Sequence, residues 1–103
     1  MKKLFFFVAL AALLSAFEMV SHTNPMYEIK GEILEDGSGS ALIGVTVREK
    51  GTSNVTLTDV DGKFILKTST PCVTVVLSYI GYVKQEHAKV CRDKVHQFIL
   101  IPV

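Results

Sequence analysis

The sequence has little of what metal sites and nucleic-acid-binding surfaces need. It contains no tryptophan, two cysteines and three histidines, and its 11 Lys and Arg nearly balance its 10 Asp and Glu. This balance excludes a strongly basic nucleic-acid-binding domain, so no nucleic acid is expected as a partner. The few Cys and His do not form the short-spaced pairs of a zinc site. The apolar content of 49% is that of an ordinary globular domain.

Catalytic motifs are also missing from the sequence. There is no H-E-x-x-H, G-x-S-x-G or paired-carboxylate pattern, and His87 and His96 lie alone on predicted strands, where we expect them to be exposed. The segment from Asp59 to Gly62 is similar to the start of a calcium loop, but Thr70 stands where an EF-hand requires Glu. No catalytic, cofactor-binding or metal-binding residue is predicted, and no cofactor.

The N-terminal segment has the composition of a secretory signal peptide. Two lysines after the initiator methionine precede an apolar run from Leu4 to Leu14, which is shorter than the roughly 18 residues of a membrane-spanning helix. Cleavage is expected between Ala16 and His22. We therefore interpret residues 1–21 as a helical signal peptide and residues 22–103 as the mature domain. The mature protein is predicted to be in the periplasm or at the outer membrane or cell surface, without a transmembrane span.

The rest of the chain has the pattern of an all-β sandwich. Apolar and polar residues alternate from Tyr27 to Ile33, and the apolar segment from Val73 to Ile80 is predicted to be a central strand. Turn residues recur about every ten positions, and helical periodicity is missing after the N-terminal segment. The seven predicted strands are 27–33, 45–49, 55–58, 64–67, 73–80, 82–90 and 95–101.

Two turns are predicted in detail. An Asp-Gly step at Asp61 and Gly62 favours a tight hairpin between the third and fourth strands, with Gly62 at positive φ and Phe64 entering the core. Asp59 and Asp61 are expected to accept hydrogen bonds from their own backbone. In the later turn, Gly81 should let the chain reverse between two aromatic residues that cap opposite ends of the core.

Cys72 and Cys91 lie next to the far ends of the two predicted strands that flank this second turn. If the hairpin is centred on Gly81 and Tyr82, residues whose numbers add to 163 are opposite each other, and the two cysteines satisfy that sum. A cross-strand disulfide is then geometrically allowed. A shift of one residue in register would separate them, so two buried free thiols remain the alternative.

Several short sequences occur in an order that is typical of one family: Gly44-Val45, Lys50-Gly51-Thr52, the Thr58-Asp59 to Phe64 turn, and Ser78-Tyr-Ile-Gly-Tyr82. Over nearly all of residues 29–101 the chain resembles the carboxypeptidase-regulatory-like domain, a transthyretin-like or Ig-like β-sandwich common in exported proteins of the Bacteroidetes. The residues expected to have structural roles in these motifs are Gly44, Gly51, Thr52, Asp59, Asp61, Gly62, Phe64, Ser78, Tyr79, Gly81 and Tyr82.

This resemblance implies a function of binding rather than catalysis. Domains of the family often precede the plug and barrel of TonB-dependent outer-membrane receptors. The chain is therefore expected to be a non-catalytic binding or structural module of the cell envelope, whose partner is another envelope protein. The alternative is a shortened or split N-terminal extension of such a receptor. Tyr27, Tyr79 and Tyr82 could form an aromatic platform for a glycan, although packing explains such residues more often.

Overall fold

The structure, a computed structural model, describes residues 26–103, and these form two β-sheets that pack face to face. The predicted signal peptide lies outside the described residues. The prediction of an all-β sandwich with seven strands is confirmed. No helix within residues 26–103 is long and apolar enough to cross a membrane. The strands are β1 (Tyr27–Glu35), β2 (Thr46–Glu49), β3 (Val55–Leu57), β4 (Lys63–Thr68), β5 (Cys72–Ser78), β6 (Gln85–Cys91) and β7 (His96–Leu100).

The three-stranded sheet has the order β4-β1-β7, and the four-stranded sheet has the order β3-β2-β5-β6. All pairings are antiparallel except that of β1 with β7, which is parallel. The apolar β5 lies inside its sheet, as predicted. The edge strands are β4 and β7 in one sheet and β3 and β6 in the other, so two edges face each other on each long side of the sandwich.

The core lies between the sheets and is built by alternate residues of the strands. On β1, Ile29 and Ile33 are fully buried, and Gly31 lies between them. A Cβ at Gly31 would lie 2.5 Å from Cε1 of Phe64, so the Phe64 ring occupies the space that a larger residue would need. The buried hydrophobic residues are Ile29, Ile33, Val45, Val47, Phe64, Leu66, Val73, Val75, Leu77, Val90, Phe98 and Leu100.

The predicted hairpin between the third and fourth strands is wrong. β3 pairs with β2, whereas β4 pairs with β1, so the turn after Asp59 carries the chain from one sheet to the other. Thr58, buried at the end of β3, accepts a hydrogen bond at Oγ1 from Val45 N–H (2.9 Å), which holds this end in the four-stranded sheet. The carbonyl of Gly62 accepts from Ile33 N–H (2.8 Å) in the other sheet. A tight Asp-Gly turn fits a sheet crossing as well as a hairpin.

The pairing of β5 with β6 changes register once. Near the turn the numbers of opposite residues add to 162, as in Leu77 with Gln85, whereas the predicted sum was 163. The hairpin is therefore centred on Gly81 alone and not between Gly81 and Tyr82. Between Val73 and Val75 a β-bulge places two residues of β6 opposite one residue of β5, and beyond it the sum is 163. Lys89, in this bulge, has a φ of 56°, the one positive value among the described non-glycine residues.

Candidate functional site at the sheet edges and loop ends

The turn after β3 has a structural role in the fold. Gly62 has a φ of 74°, and a Cβ at this position would lie 2.7 Å from the carbonyl oxygen of Ile33, so only glycine fits there. The carboxylate of Asp59 accepts hydrogen bonds from the N–H groups of Asp61 and Lys63, both at 2.9 Å. The Asp61 carboxylate makes no such bond within the described residues. The turn is thus closed by one aspartate rather than two.

The loops before and after β2 place three further motif residues, Gly44 in the first and Gly51 and Thr52 in the second. Gly44 and Gly51 both have positive φ, 81° and 78°. Thr52 donates from Oγ1 to the carbonyl of Glu49 (2.9 Å) and accepts from Asn54 N–H (3.1 Å), so its side chain replaces backbone hydrogen bonds in the loop. These contacts fix where β3 begins.

The segment from Ser78 to Tyr82 brings two tyrosines together. Tyr79 and Tyr82 stack with their ring centroids 5.4 Å apart, on either side of Gly81, which has a φ of 89°. The expectation that they cap opposite ends of the core is therefore wrong. The short turn places both rings against the same end of the sandwich, where both are half-buried.

Tyr82 also ties this turn to the end of β1. Its hydroxyl donates a hydrogen bond to Oε2 of Glu35, and Ser38 Oγ donates to Oε1 of the same carboxylate at 2.7 Å. The bond from Tyr82, followed by that from Ser38, lowers the pKa of Glu35. The bond to Glu35 raises the pKa of Tyr82. Both shifts favour the ionised carboxylate beside the neutral phenol.

Tyr27 lies far from this pair. It is the first residue of β1, whereas Glu35, the partner of Tyr82, is the last, and a nine-residue strand is roughly 30 Å long. The guanidinium of Arg92 lies over the Tyr27 ring, 5.0 Å from its centroid. The three tyrosines therefore do not form the single platform that was considered for a glycan.

His87 and His96 are half-buried, so the expectation that they are exposed is wrong. Both rings lie against Phe98, with centroids at 4.6 Å and 6.0 Å. Because Phe98 belongs to the other sheet from β6, the contact of His87 with Phe98 could not be predicted from the neighbouring sequence, whereas His96 lies two residues before Phe98 on β7. No group of three or more His, Cys, Asp or Glu among residues 26–103 is arranged to hold a metal ion.

Cys72 and Cys91 form a disulfide bond, which confirms the cross-strand pairing and excludes the free thiols. They stand directly opposite each other beyond the bulge, and Val73 stands opposite Val90. The N–H of Arg92 donates a hydrogen bond to the carbonyl of Pro71, so the neighbouring Cys72 and Cys91 form a non-hydrogen-bonded pair. In such a pair the backbone N–H and C=O groups of the two residues point away from each other. Side chains are closest in such pairs.

Three of the four edge strands have hydrogen bonds from the chain's own residues on their outer side. On β4, Asp59 bonds both backbone groups of Lys63, through its N–H (2.8 Å) and its carboxylate (2.9 Å). The Nδ2 of Asn54 donates to the carbonyl of Lys67 at 2.7 Å. Asn54 thereby joins the loop before β3 to the facing sheet.

The β6 and β7 edges are covered in the same way. Nε2 of Gln85 donates to the carbonyl of Ile99 at 2.7 Å, a bond from β6 to β7. Nε2 of His96 lies 2.8 Å from the carbonyl oxygen of Cys91 and 3.2 Å from its nitrogen, a contact from β7 back to β6. Each edge on this side is therefore partly covered by a side chain of the other sheet.

β3 is different, because its outer backbone groups have no partner among the described residues. Thr56 faces Val47 of β2 in a hydrogen-bonded pair, so the N–H and C=O groups of Val55 and Leu57 point away from the sheet. The side chains of Val55 and Leu57 are 46% and 60% exposed. Sequence reasoning missed this edge, since a three-residue strand carries no signal of its position in a sheet.

Comparison with protein families gives a match over most of the chain. The family described as the CarboxypepD_reg-like domain matches residues 29–101. TonB-dependent receptor P39 of Formosa agariphila is 39% identical over 77 residues, which cover 75% of this chain and 7% of the receptor. TonB-dependent receptor SusC of Bacteroides thetaiotaomicron is 43% identical over 58 residues, which cover 56% of this chain and 6% of the receptor. The chain thus spans less than a tenth of the length of these curated relatives.

Among solved structures, similar chains occur in two interface mutants of the type II Cohesin-X-Dockerin complex from Acetivibrio cellulolyticus. One has a TM-score of 0.56 at 26% identity, and the other has 0.55 at 25%. Each match covers 71% of this chain and 52% of the other. These similarities agree with the observed sandwich.

Proposed function

Because the chain belongs to the CarboxypepD_reg-like domain family, we propose that it is an exported, non-catalytic binding or structural domain of the cell envelope that works beside a TonB-dependent receptor. The observation that carries this proposal is the 39% identity to a TonB-dependent receptor over 77 residues. That similarity covers three quarters of the chain, so it concerns most of the sandwich rather than one loop.

The geometry supports binding rather than catalysis. Three side chains that could act as a base have structural partners: His96 contacts the backbone of Cys91, His87 contacts Gln85 at 2.8 Å, and Asp59 closes its own turn. A general base must instead be free to approach a substrate proton. The proposed partner is a protein rather than a glycan, because the Tyr82 hydroxyl is bonded to Glu35.

The proposal includes export and removal of residues 1–21. N-terminal sequencing of the protein from isolated envelopes should find a first residue between positions 17 and 22. Recovery of the chain with its initiator methionine in the cytoplasmic fraction would contradict export.

Association with a receptor can be tested by affinity purification. The chain, tagged at its C-terminus in its native host, should co-purify with a TonB-dependent receptor from outer membranes solubilised in mild detergent. An unrelated periplasmic protein with the same tag is the control. Recovery of equal amounts of receptor with both baits, or of none with either, would argue against the proposal.

A second candidate is that the domain is part of a receptor chain, a shortened or split N-terminal extension. The observation that favours it is that both curated relatives are TonB-dependent receptors many times longer than this chain. An immunoblot of envelopes with an antibody against residues 26–103 separates the candidates. A band below the 11.3 kDa of the full chain, as removal of residues 1–21 requires, supports the first, and a receptor-sized band alone supports the second.

A further inference from the structure

We propose that β3 is a docking site at which an extended segment of another envelope protein adds as a fifth strand to the four-stranded sheet. The inference rests on the proposed binding function and specifies the surface that would perform it. It also specifies the chemistry of the partner segment, which follows from the backbone, the side chains and the charge around β3.

The backbone of β3 offers a complete set of groups for one more strand. The N–H and C=O groups of Val55 and Leu57 face outward without a partner among the described residues. They recur along one line at the two-residue repeat of a strand, about 6.8 Å. Two donors and two acceptors in this arrangement match an extended peptide, whose own groups alternate at the same spacing.

The comparison with the other edges makes β3 distinctive. Asp59 and Asn54 bond outer groups at the two ends of β4, which leaves the outer groups of Ile65 between them, and side chains of β6 and β7 bond part of each other's backbone. Proteins cover exposed edges because a bare edge invites pairing with another chain. The sequence provides partial cover at three edges and none at β3, where both outward-facing residues also carry exposed apolar side chains.

These side chains define the residues that the partner presents. Val55 and Leu57 point to the outer face of their sheet, so an added strand would place every second side chain against them. Apolar residues at those alternate positions would remove both from water. The partner is therefore an extended segment with apolar residues at every second position.

One positive charge adds an acidic residue to this description. Arg48 lies on β2 between Val55 and Val76, two apolar neighbours on the same face, and it forms no salt bridge with a described residue. Its side chain is long enough to extend over Val55 toward an added strand. A carboxylate on that strand would form the charge-assisted pair that Arg48 lacks within residues 26–103.

A second copy of this chain satisfies the description less well. Its β3 contains only Val55, Thr56 and Leu57, so pairing two β3 strands would leave Arg48 of each copy without a carboxylate on the added strand. Another protein with an acidic and apolar strand fits both features.

The test uses hydrogen exchange measured by NMR on the purified full chain, with a synthetic peptide as probe. The peptide has eight residues of alternating valine and threonine, with one central valine replaced by glutamate. At about ten times its Kd, it should slow exchange of the Val55 and Leu57 amides about tenfold and leave the Ile65 amide of β4 unchanged. A peptide with lysine in place of glutamate should bind more weakly.

Variants test whether β3 is the site. Leu57→Pro removes an N–H that serves no ladder bond and should abolish protection of the Val55 amide by the peptide. Leu57→Lys keeps that N–H but puts a charge on the edge, so it should weaken binding of the peptide. This variant tests the site independently if the proline variant does not fold. Ile99→Lys puts the same charge at an exposed apolar residue of β7, so it is the matched control and should bind the peptide normally.

Three outcomes would overturn the proposal. The first is that the peptide slows neither amide, and the second is that Leu57→Lys and Ile99→Lys bind it equally well. The third is a concentration-dependent dimer that Leu57→Lys abolishes, because the occupant would then be a second copy.

If affinity purification from envelopes yields the receptor with wild type and Leu57→Lys alike, the proposed function stands and the β3 site is wrong. If they yield none while the peptide still protects β3, the proposed function fails and the strand-accepting edge remains.

Discussion

The two long sides of the sandwich are closed by different means. Where β6 faces β7, side-chain hydrogen bonds run from each sheet to the other. Two backbone bonds add to them: Val83 N–H donates to the carbonyl of Ile101 (2.8 Å), and Val103 N–H donates to the carbonyl of Gly81 (3.0 Å). Where β3 faces β4, the link consists of a tight turn and the side chain of Asn54. The first side therefore has redundant contacts, whereas the second depends on a few residues and keeps a free edge.

Because the second side depends on few contacts, the largest expected effect is at its turn. Gly62→Ala should lower the free energy of unfolding by about 3 to 4 kcal/mol, since a Cβ must adopt positive φ and also meets the carbonyl of Ile33 at 2.7 Å. Gly51→Ala is the matched control, with similar φ and no atom within 4 Å of the added Cβ. It should cost about 1 kcal/mol in urea denaturation. Equal losses would show that the contact with Ile33 contributes nothing.

The disulfide is the next largest contribution, and it lies at one end of the redundant side. Replacing Cys72 and Cys91 together by alanine should lower the free energy of unfolding by about 3 kcal/mol, the chain-entropy value for residues 19 apart. Wild type denatured in urea with reductant should show a similar loss. A loss below about 1 kcal/mol in both experiments would mean that the other contacts of this side suffice.

A direct comparison of the two sides uses one side-chain amide from each. Asn54→Ala removes the bond to Lys67 and should cost about 1 kcal/mol, and exchange of the β4 amides should accelerate. Gln85→Ala removes the equivalent bond to Ile99, but neighbouring contacts remain, so we expect less than about half that cost. If Gln85→Ala lowers the free energy of unfolding more than Asn54→Ala does, the side where β6 faces β7 is not the one with redundant contacts.

The smallest effect concerns pH. The lowered pKa of Glu35 contributes stability above the ordinary pKa of a glutamate, and this is lost as the pH falls through the folded-state value. The raised pKa of Tyr82 contributes stability below the ordinary pKa of a tyrosine, which is lost as the pH rises through its folded-state value. Tyr82→Phe should therefore lower the melting temperature at neutral pH and flatten its decline at both extremes. An unchanged pH profile would contradict this coupling.

Much of the fold could be predicted from alternation and turn residues, because both are local properties. The strand positions and the buried Phe64 follow from them. The pairing of Cys72 with Cys91 remained one of two alternatives, because it requires a register that holds only beyond the bulge. The assignment of strands to sheets could not be predicted, because the turn at Gly62 is equally compatible with a hairpin and with a crossing. The burial of His87 depends on Phe98 in another sheet, and the open edge of β3 depends on which strands lack neighbours.

The bulge in β6 has a consequence for how the length of this domain can vary among relatives. Deletion of Lys89 would leave one residue opposite Thr74, and Cys72 would still face Cys91, as Val73 would still face Val90. Deletion of one residue between His87 and Gln85 would instead turn neighbouring side chains to the wrong face. In an alignment of relatives, a one-residue gap in this strand is therefore expected at the bulge, with both cysteines retained on either side of the gap.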